Sequence, residues 1–245
     1  MNVKAIVSYD GSQYYGFQIQ KDDDKMPTIQ GKIEKVLSLI LDAPIQITGS
    51  GRTDRGVHAL NQVFNFDLNK NFDLNKLCYS MNKLLPDDIY IKSLQFVDDS
   101  FHARKSAKKK HYRYRILLSP DPFQIKYAYI YLKNLDIDLI KEGMNLFKGI
   151  HQFYNFCSNN EEEDIYKKEI FEFDLTQEDN QLIFDIVGTG FKRYMVRMII
   201  GTLIALGDHQ ISLDYIKEKL ESPLGNNTAY NAPSQGLYLV EVIYD

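Results

Sequence analysis

The chain has 245 residues, enough for one or two domains and for a core that needs no disulfide or metal staple. With 44% hydrophobic and 25% charged residues it is ordinary globular sequence; disordered and fibrous classes are excluded, and no run of 18 apolar residues offers a membrane span. The net charge is −4, yet residues 104 to 115 hold seven Lys/Arg and no acid, leaving 22 basic residues against 33 acidic ones elsewhere. An acidic body with one cationic ribbon can still bind a polyanion locally, because screening limits repulsion to roughly 8–10 Å.

The elements read in chain order as follows. Val3 to Tyr9 alternates as a strand, and Asp10-Gly11-Ser12 is a turn signal. Met1 leads straight into that strand, so no signal peptide is expected. Pro27-Thr28 opens a helix with Ile29, Ile33, Val36, Leu37, Ile40 and Leu41 on one stripe. A short strand at 45–48 leads to the loop Gly49-Ser-Gly-Arg-Thr-Asp-Arg-Gly56. Gln62 to Leu68 then alternates as a strand. Asp73 to Leu85 predicts a helix stopped by Pro86, and Ile89 to Phe96 a strand.

The second part repeats the order. Tyr112 to Leu118 reads as a strand, Asp136 to Phe147 as a helix, and Ile170–Leu175 and Leu182–Val187 as strands joined at Glu178-Asp179-Asn180. Gly190 to Leu206 reads as a long helix, Ser212 to Glu221 as a shorter one, and Leu237 to Ile243 as a last strand. Each half is β-α-β-β-α-β, the split βαβ or ferredoxin-like order, with one extra helix in the second. The expected fold is α+β, two such halves with joined antiparallel sheets around a central cleft. The halves are 1–104 and 105–245. The runs at 21–25 and 159–164 read as solvated loops.

Cys78 and Cys157 make neither a disulfide framework nor a metal spacing, which suggests a reducing cytoplasm. The 22 Lys are spread along the chain. The 7 Arg fall in three clusters, 52/55, 104/113/115 and 193/197. A guanidinium is a planar fork suited to carboxylates, phosphates and base faces, so the clusters are candidate parts of one site.

The loop at 49–59 concentrates the chemistry. Gly51-x4-Gly56 has a phosphate-loop spacing, but Val57 stands where the lysine must be, and no helix follows. A dinucleotide glycine pattern is absent too. Two readings of Asp54 remain from the residues alone: a turn aspartate, or a carboxylate kept anionic by Arg52 and Arg55 and able to act as a nucleophile. His58 has no metal-ligand partner at usable spacing and reads as a structural imidazole.

At this loop a resemblance becomes specific. Gly51-Arg-Thr-Asp-Arg-Gly-Val-His-Ala59 resembles the signature of the tRNA pseudouridine synthase A family. Four further stretches resemble that family in order: Tyr9-Asp-Gly-Ser-Gln-Tyr-Tyr-Gly-Phe-Gln18, Phe101-His-Ala-Arg-Lys-Ser-Ala107 with Tyr112-Arg-Tyr114, Gly190 to Gly201, and Gly236-Leu-Tyr-Leu-Val240. The resemblance implies a pseudouridine synthase fold and an isomerase that turns uridine into pseudouridine in the tRNA anticodon stem-loop, at positions 38 to 40. It implies no cofactor, no metal and no membrane, and a homodimer in which one tRNA touches both protomers.

It also implies roles. Asp54 matches the catalytic aspartate, acting at C1′ or C6 of uridine or through a glycal route; the sequence leaves these open. Arg197 matches an arginine of the late helix, expected to meet Asp54 across the cleft within salt-bridge distance. Tyr112 matches an active-site tyrosine, a ring to stack on uracil or a hydroxyl to move a proton. Arg52 matches the residue that displaces the target base. Phe101, His102, Ala103, Arg104 and Lys105 match an RNA-contacting segment, which Lys108, Lys109 and Lys110 extend, and Leu237 is a candidate wall of the uracil pocket. Two departures bear on substrate range: Arg55 stands where a small residue is common, and Glu161-Glu-Glu-Asp164 precedes a segment where many members carry Arg-Thr. Alternatives are a paralogue acting on another tRNA position or another RNA, and an RNA-binding module without turnover. A metal-dependent nuclease lacks paired carboxylates at usable spacing.

Overall fold

The computed structural model describes residues 1–20, 26–158, 166–222 and 225–245. The expected solvated loops at 21–25 and 159–164, with the acidic run at 161–164, lie outside the described residues. The chain divides into two units, residues 1–108 with 238–245, and residues 109–237. The architecture is mixed α and β, and most strand pairs are antiparallel.

The first unit is built on β1 (Asn2–Tyr9). It pairs antiparallel with β3 (His58–Asp67) on one side and with β4 (Ile89–Val97) on the other. Alternation along β1 buries Val3, Ala5, Val7 and Tyr9, the period-2 signature of a strand with one covered face. The two-residue β2 (Thr48–Gly49) pairs with β3. The C-terminal strand β10 (Leu237–Ile243) pairs with β3 in parallel, Tyr238 opposite His58 and Leu239 opposite Ala59.

Two helices close this core. In α1 (Ile29–Leu41), the Thr28 hydroxyl accepts the Gly31 N–H at 3.2 Å, an N-terminal cap that contributes about 1 kcal/mol. Its buried stripe is Ile29, Ile33, Val36, Leu37 and Leu41; Ile40 is only half-buried. In α2 (Leu74–Leu84), Asp73 caps the N-terminus and Leu77 and Met81 face inward. The helices pack on each other, and α2 packs on β4.

In the second unit, β5 (Lys109–Leu117) pairs antiparallel with β9 (Gln181–Gly188), β9 with β8 (Lys167–Glu178), and β8 with β7 (Gly149–Gln152). The short β6 (Tyr129–Ile130) runs parallel to β5. The turn between β8 and β9 sits at Asp179, with φ 47°, at the position its residues predict. The helices are α3 (Ile137–Phe147), α4 (Met195–Gly207) and α5 (Leu213–Glu221). Strands β6 and β7 have no sequence signal: two and four residues are too few to show a period.

Two element starts are corrected. The helix expected from Gly190 starts at Met195. Tyr194 is its N-cap with φ 66°, a left-handed conformation that no helix continues through, and residues 192–195 form a turn closed by Met195 N–H to the Lys192 carbonyl at 3.0 Å. β5 likewise begins at Lys109 rather than Tyr112, so Lys109, Lys110 and His111 belong to the strand as well.

Candidate active site

Residues 50–57 connect β2 to β3. The Ser50 N–H donates to the Val63 carbonyl at 2.8 Å, and the Ser50 hydroxyl bonds the Gln62 side chain. The Gln62 amide donates to the Gly51 carbonyl at 3.1 Å. The segment after β1 lies directly against this loop. The Phe17 N–H donates to the Thr53 carbonyl and the Gly56 N–H to the Tyr14 carbonyl, both at 3.3 Å. Inside this frame the Tyr9 hydroxyl is 2.8 Å from the Thr53 hydroxyl. Burial pushes the Tyr9 phenol far above its ordinary range, against the lowering effect of Thr53 and Gln62, so it stays a neutral hydrogen-bonding group.

Two glycines make this close approach possible. A Cβ at Gly11 would stand 1.9 Å from the Val57 carbonyl oxygen, and one at Gly16 would stand 2.4 Å from that of Thr53. The segments 9–18 and 51–59 are thus two halves of one rigid piece, which carries Asp54 half-buried between the exposed Arg52 and Arg55. His58 is 2% exposed. Its Nδ1 faces the Gly11 N–H at 3.2 Å and the Asp10 carboxylate at 3.1 Å, and its ring stacks on Tyr238 at 4.8 Å. It braces the Asp10–Gly11 turn, as a structural imidazole does. Among the described residues no group of three or more His, Cys, Asp or Glu is placed to hold a metal ion.

A groove of about 560 Å³ opens beside the loop, in the first unit alone. Phe17 and Thr48 line it together with Arg52, His102, Arg104 and Lys105. Four candidate binding residues from two distant stretches therefore share one surface. The Arg52 Nε donates to the side-chain oxygen of Gln18, which lines the same groove.

The 101–105 segment divides in two. Asn2 donates to the Phe101 carbonyl at 2.7 Å, the Asn65 side chain accepts the Ala103 N–H at 2.9 Å, and the Tyr244 hydroxyl donates to the Ala103 carbonyl at 2.8 Å. Ala103 is fully buried, and the Phe101 ring packs 5.1 Å from Tyr244. These two anchor the loop. His102 Nδ1 accepts the N–H groups of Arg104 and Lys105 at 3.2 and 3.4 Å, a tight turn that leaves both cationic side chains exposed.

Tyr112 and Arg197 belong to the second unit. Along β5 the side chains alternate: Tyr112, Tyr114 and Ile116 are buried. Tyr112 meets Phe191 edge-on at 5.2 Å, and the Tyr114 hydroxyl donates to the Pro233 carbonyl at 2.7 Å. On the other face, Asp185 accepts from His111 at 2.5 Å and from Arg113 at 3.0 and 3.1 Å. Burial raises the Asp185 carboxyl, but the His111 and Arg113 hydrogen bonds outweigh it and leave the group below the usual carboxylate range. Arg113 is therefore partly neutralised by a cross-strand acid, a pairing the one-sign ribbon does not announce. Its signal is the register: Arg113 lies opposite Asp185 once β5 and β9 are aligned.

In α4 every residue but Arg197 is buried. A cation in the first turn also opposes the helix dipole, so its placement is locally unfavourable. The Arg197 Nε donates to the Ala232 carbonyl at 2.7 Å, and the Ala232 N–H donates back to the Arg197 carbonyl at 2.9 Å. Its guanidinium carbon lies 5.2 Å from the Tyr194 ring centre, and that of Arg193 lies 4.7 Å from the same ring. The sequence does not announce the Ala232 brace or the ring shared by two arginines, since neither the left-handed Tyr194 nor the return of 230–232 has a local signal. Leu237, at 5% exposure, is a buried residue at the start of β10.

The comparisons with known proteins agree. The family model described as tRNA pseudouridine synthase matches residues 5–104 and 144–245. Curated proteins named tRNA pseudouridine synthase A are 39% identical in Geobacillus sp. (99% of this chain, 98% of the relative), 41% in Dictyoglomus thermophilum and 39% in Bacillus subtilis (each 100% of both chains). On these grounds the chain belongs to the tRNA pseudouridine synthase A family.

Proposed function

We propose that the chain isomerises uridine to pseudouridine in the anticodon stem-loop of tRNA, at positions 38 to 40, without a cofactor and with Asp54 as the essential carboxylate. That it is a tRNA pseudouridine synthase, an isomerase, follows from its family. The reaction breaks the N-glycosidic bond, turns the uracil and joins its C5 to C1′; nothing is gained or lost overall. Asp54 supplies the nucleophile or base, at C1′, at C6 or through a glycal. Arg197 supplies a fixed cation and Tyr112 a ring and hydroxyl for the uracil, with Leu237 as an apolar wall. Arg52 takes the place of the displaced base. His102, Arg104 and Lys105 hold phosphate, on a loop anchored by Phe101 and Ala103. The resemblance adds a homodimer working in the cytoplasm. Among the described residues no helix is long and apolar enough to cross a membrane.

The observation that supports this reading best is the setting of Asp54. Its loop is clamped by the close approach of Gly16 to Thr53 and of Gly11 to Val57, and Asp54 is half-buried with Arg52, two residues before it, lining a cationic groove. A reacting group held in advance does not have to be ordered at the moment of reaction. The test is incubation with unmodified tRNA transcripts, followed by mapping of pseudouridine. We expect product at positions 38–40, and none with Asp54→Asn. Product elsewhere in tRNA would move the target, and turnover retained in Asp54→Asn would remove the carboxylate.

A further inference from the structure

We propose that Arg55, stacked on Tyr15, is a landing surface for the base of a nucleotide adjoining the target uridine. The proposal rests on the reading of the chain as a uridine isomerase acting on RNA. Arg55 directly follows Asp54, and its guanidinium carbon lies 4.2 Å from the centre of the Tyr15 ring. Both backbones are pinned. The Phe17–Thr53 and Gly56–Tyr14 hydrogen bonds bracket the pair, the Tyr15 N–H donates to the Pro27 carbonyl at 2.9 Å, and the Tyr15 carbonyl accepts the Gln20 amide at 2.8 Å. The ring and the guanidinium are presented as a ready stack, and the cost of ordering them is met before a ligand arrives.

The stack is also available. Arg55 is exposed, and among the described residues no carboxylate pairs with it. A guanidinium that lays one face on a ring keeps the other face and its in-plane N–H groups open. The open face suits an unstacked base, and the N–H edge suits the phosphate of the same nucleotide. Solubility alone does not explain an arginine here, since the chain carries 22 Lys and only 7 Arg. Arg55 directly follows Asp54 in the chain, and the base it receives is therefore assigned to a neighbour of the nucleotide that reacts at Asp54. Arg55 thereby contributes to the choice of RNA without taking part in the bond changes.

The test uses the full chain and an RNA stem-loop in which the nucleotides on either side of the modified uridine are made abasic in turn. Pseudouridine formation is measured for the wild type, Arg55→Ala and Arg55→Lys, with KM and kcat separated. We expect one abasic substitution to raise the wild-type KM about tenfold with little change in kcat. The same substitution should have no further effect on Arg55→Ala. Arg55→Lys should behave like Arg55→Ala, because it keeps the charge and loses the plane. The proposal is overturned if neither abasic RNA affects the wild type, if the losses multiply in Arg55→Ala, or if Arg55→Lys is fully active. Intact RNA separates the two levels. No pseudouridine from intact RNA defeats the isomerase reading and this proposal with it, whereas pseudouridine formed without any dependence on Arg55 defeats this proposal alone. The abasic arm with wild-type enzyme needs no variant to fold.

Discussion

Gly16 sits against Thr53 so closely that a Cβ on it would stand 2.4 Å from the Thr53 carbonyl oxygen, and its own backbone takes φ +98°. Both facts demand glycine at position 16, and the close approach falls on the residue immediately before Asp54. Gly16→Ala should therefore cost about 1–3 kcal/mol in stability from the strained backbone, more from the clash, and should displace the loop. We expect turnover to fall at least tenfold while tRNA binding, proposed to rest on the cationic groove, changes less. Thermal unfolding and single-turnover assays side by side check this.

Arg104 and Lys105 are exposed on a loop that His102, Asn2, Asn65 and Tyr244 hold in place. Replacing both by Gln should leave the fold intact and weaken tRNA binding. Each phosphate that is no longer neutralised should flatten the dependence of log K on log salt by roughly 0.7–0.9. Anisotropy titrations between low and moderate salt measure the slope. An unchanged slope would remove the two residues from the RNA interface.

Asp185 accepts from both His111 and Arg113, and its carboxyl is held below the ordinary value. A depressed native pKa means that this group stabilises the fold above its unfolded pKa, near 3.8, and loses that contribution as the pH falls through its native value. Asp185→Asn should lower stability near neutral pH by about 1 kcal/mol, the pair being partly exposed. The difference from the wild type should vanish at the acid end. Urea unfolding at pH 7 and at steps descending below pH 3 follows the loss; a constant difference across the range would contradict the pairing.

Tyr9 has the opposite sign. Burial raises its phenol, so the neutral form stabilises the fold below the unfolded pKa of 10 and the contribution is lost as the pH rises beyond it. Tyr9→Phe should cost about 1 kcal/mol at neutral pH through the missing Thr53 hydrogen bond, and it should soften the alkaline decline of the melting temperature above pH 10. An equally steep alkaline limb in the variant would place the effect on other phenols.

Much of this molecule can be read from neighbouring residues. The Thr28 and Asp73 caps, the stripe of α1, the Asp179 turn and the extent of β10 all follow from chemistry within a few positions of the chain. The glycine-rich loop around Asp54 can be read the same way, because the family pattern there is local. The start of α4 cannot, since a left-handed Tyr194 has no compositional signal.

Partnership across the chain is a different matter. That Arg113 lies opposite Asp185, that Asn2 and Tyr244 hold the 101–105 loop, and that Gly11 and Gly16 press on the 53–57 loop were decided by tertiary structure. So was the parallel pairing of β10 with β3. The physical reason is register. A strand's own sequence sets which of its side chains alternate, but a one-residue shift against its neighbour changes every partner and every face. Which cation is neutralised, and which stays exposed, is settled only when two segments meet.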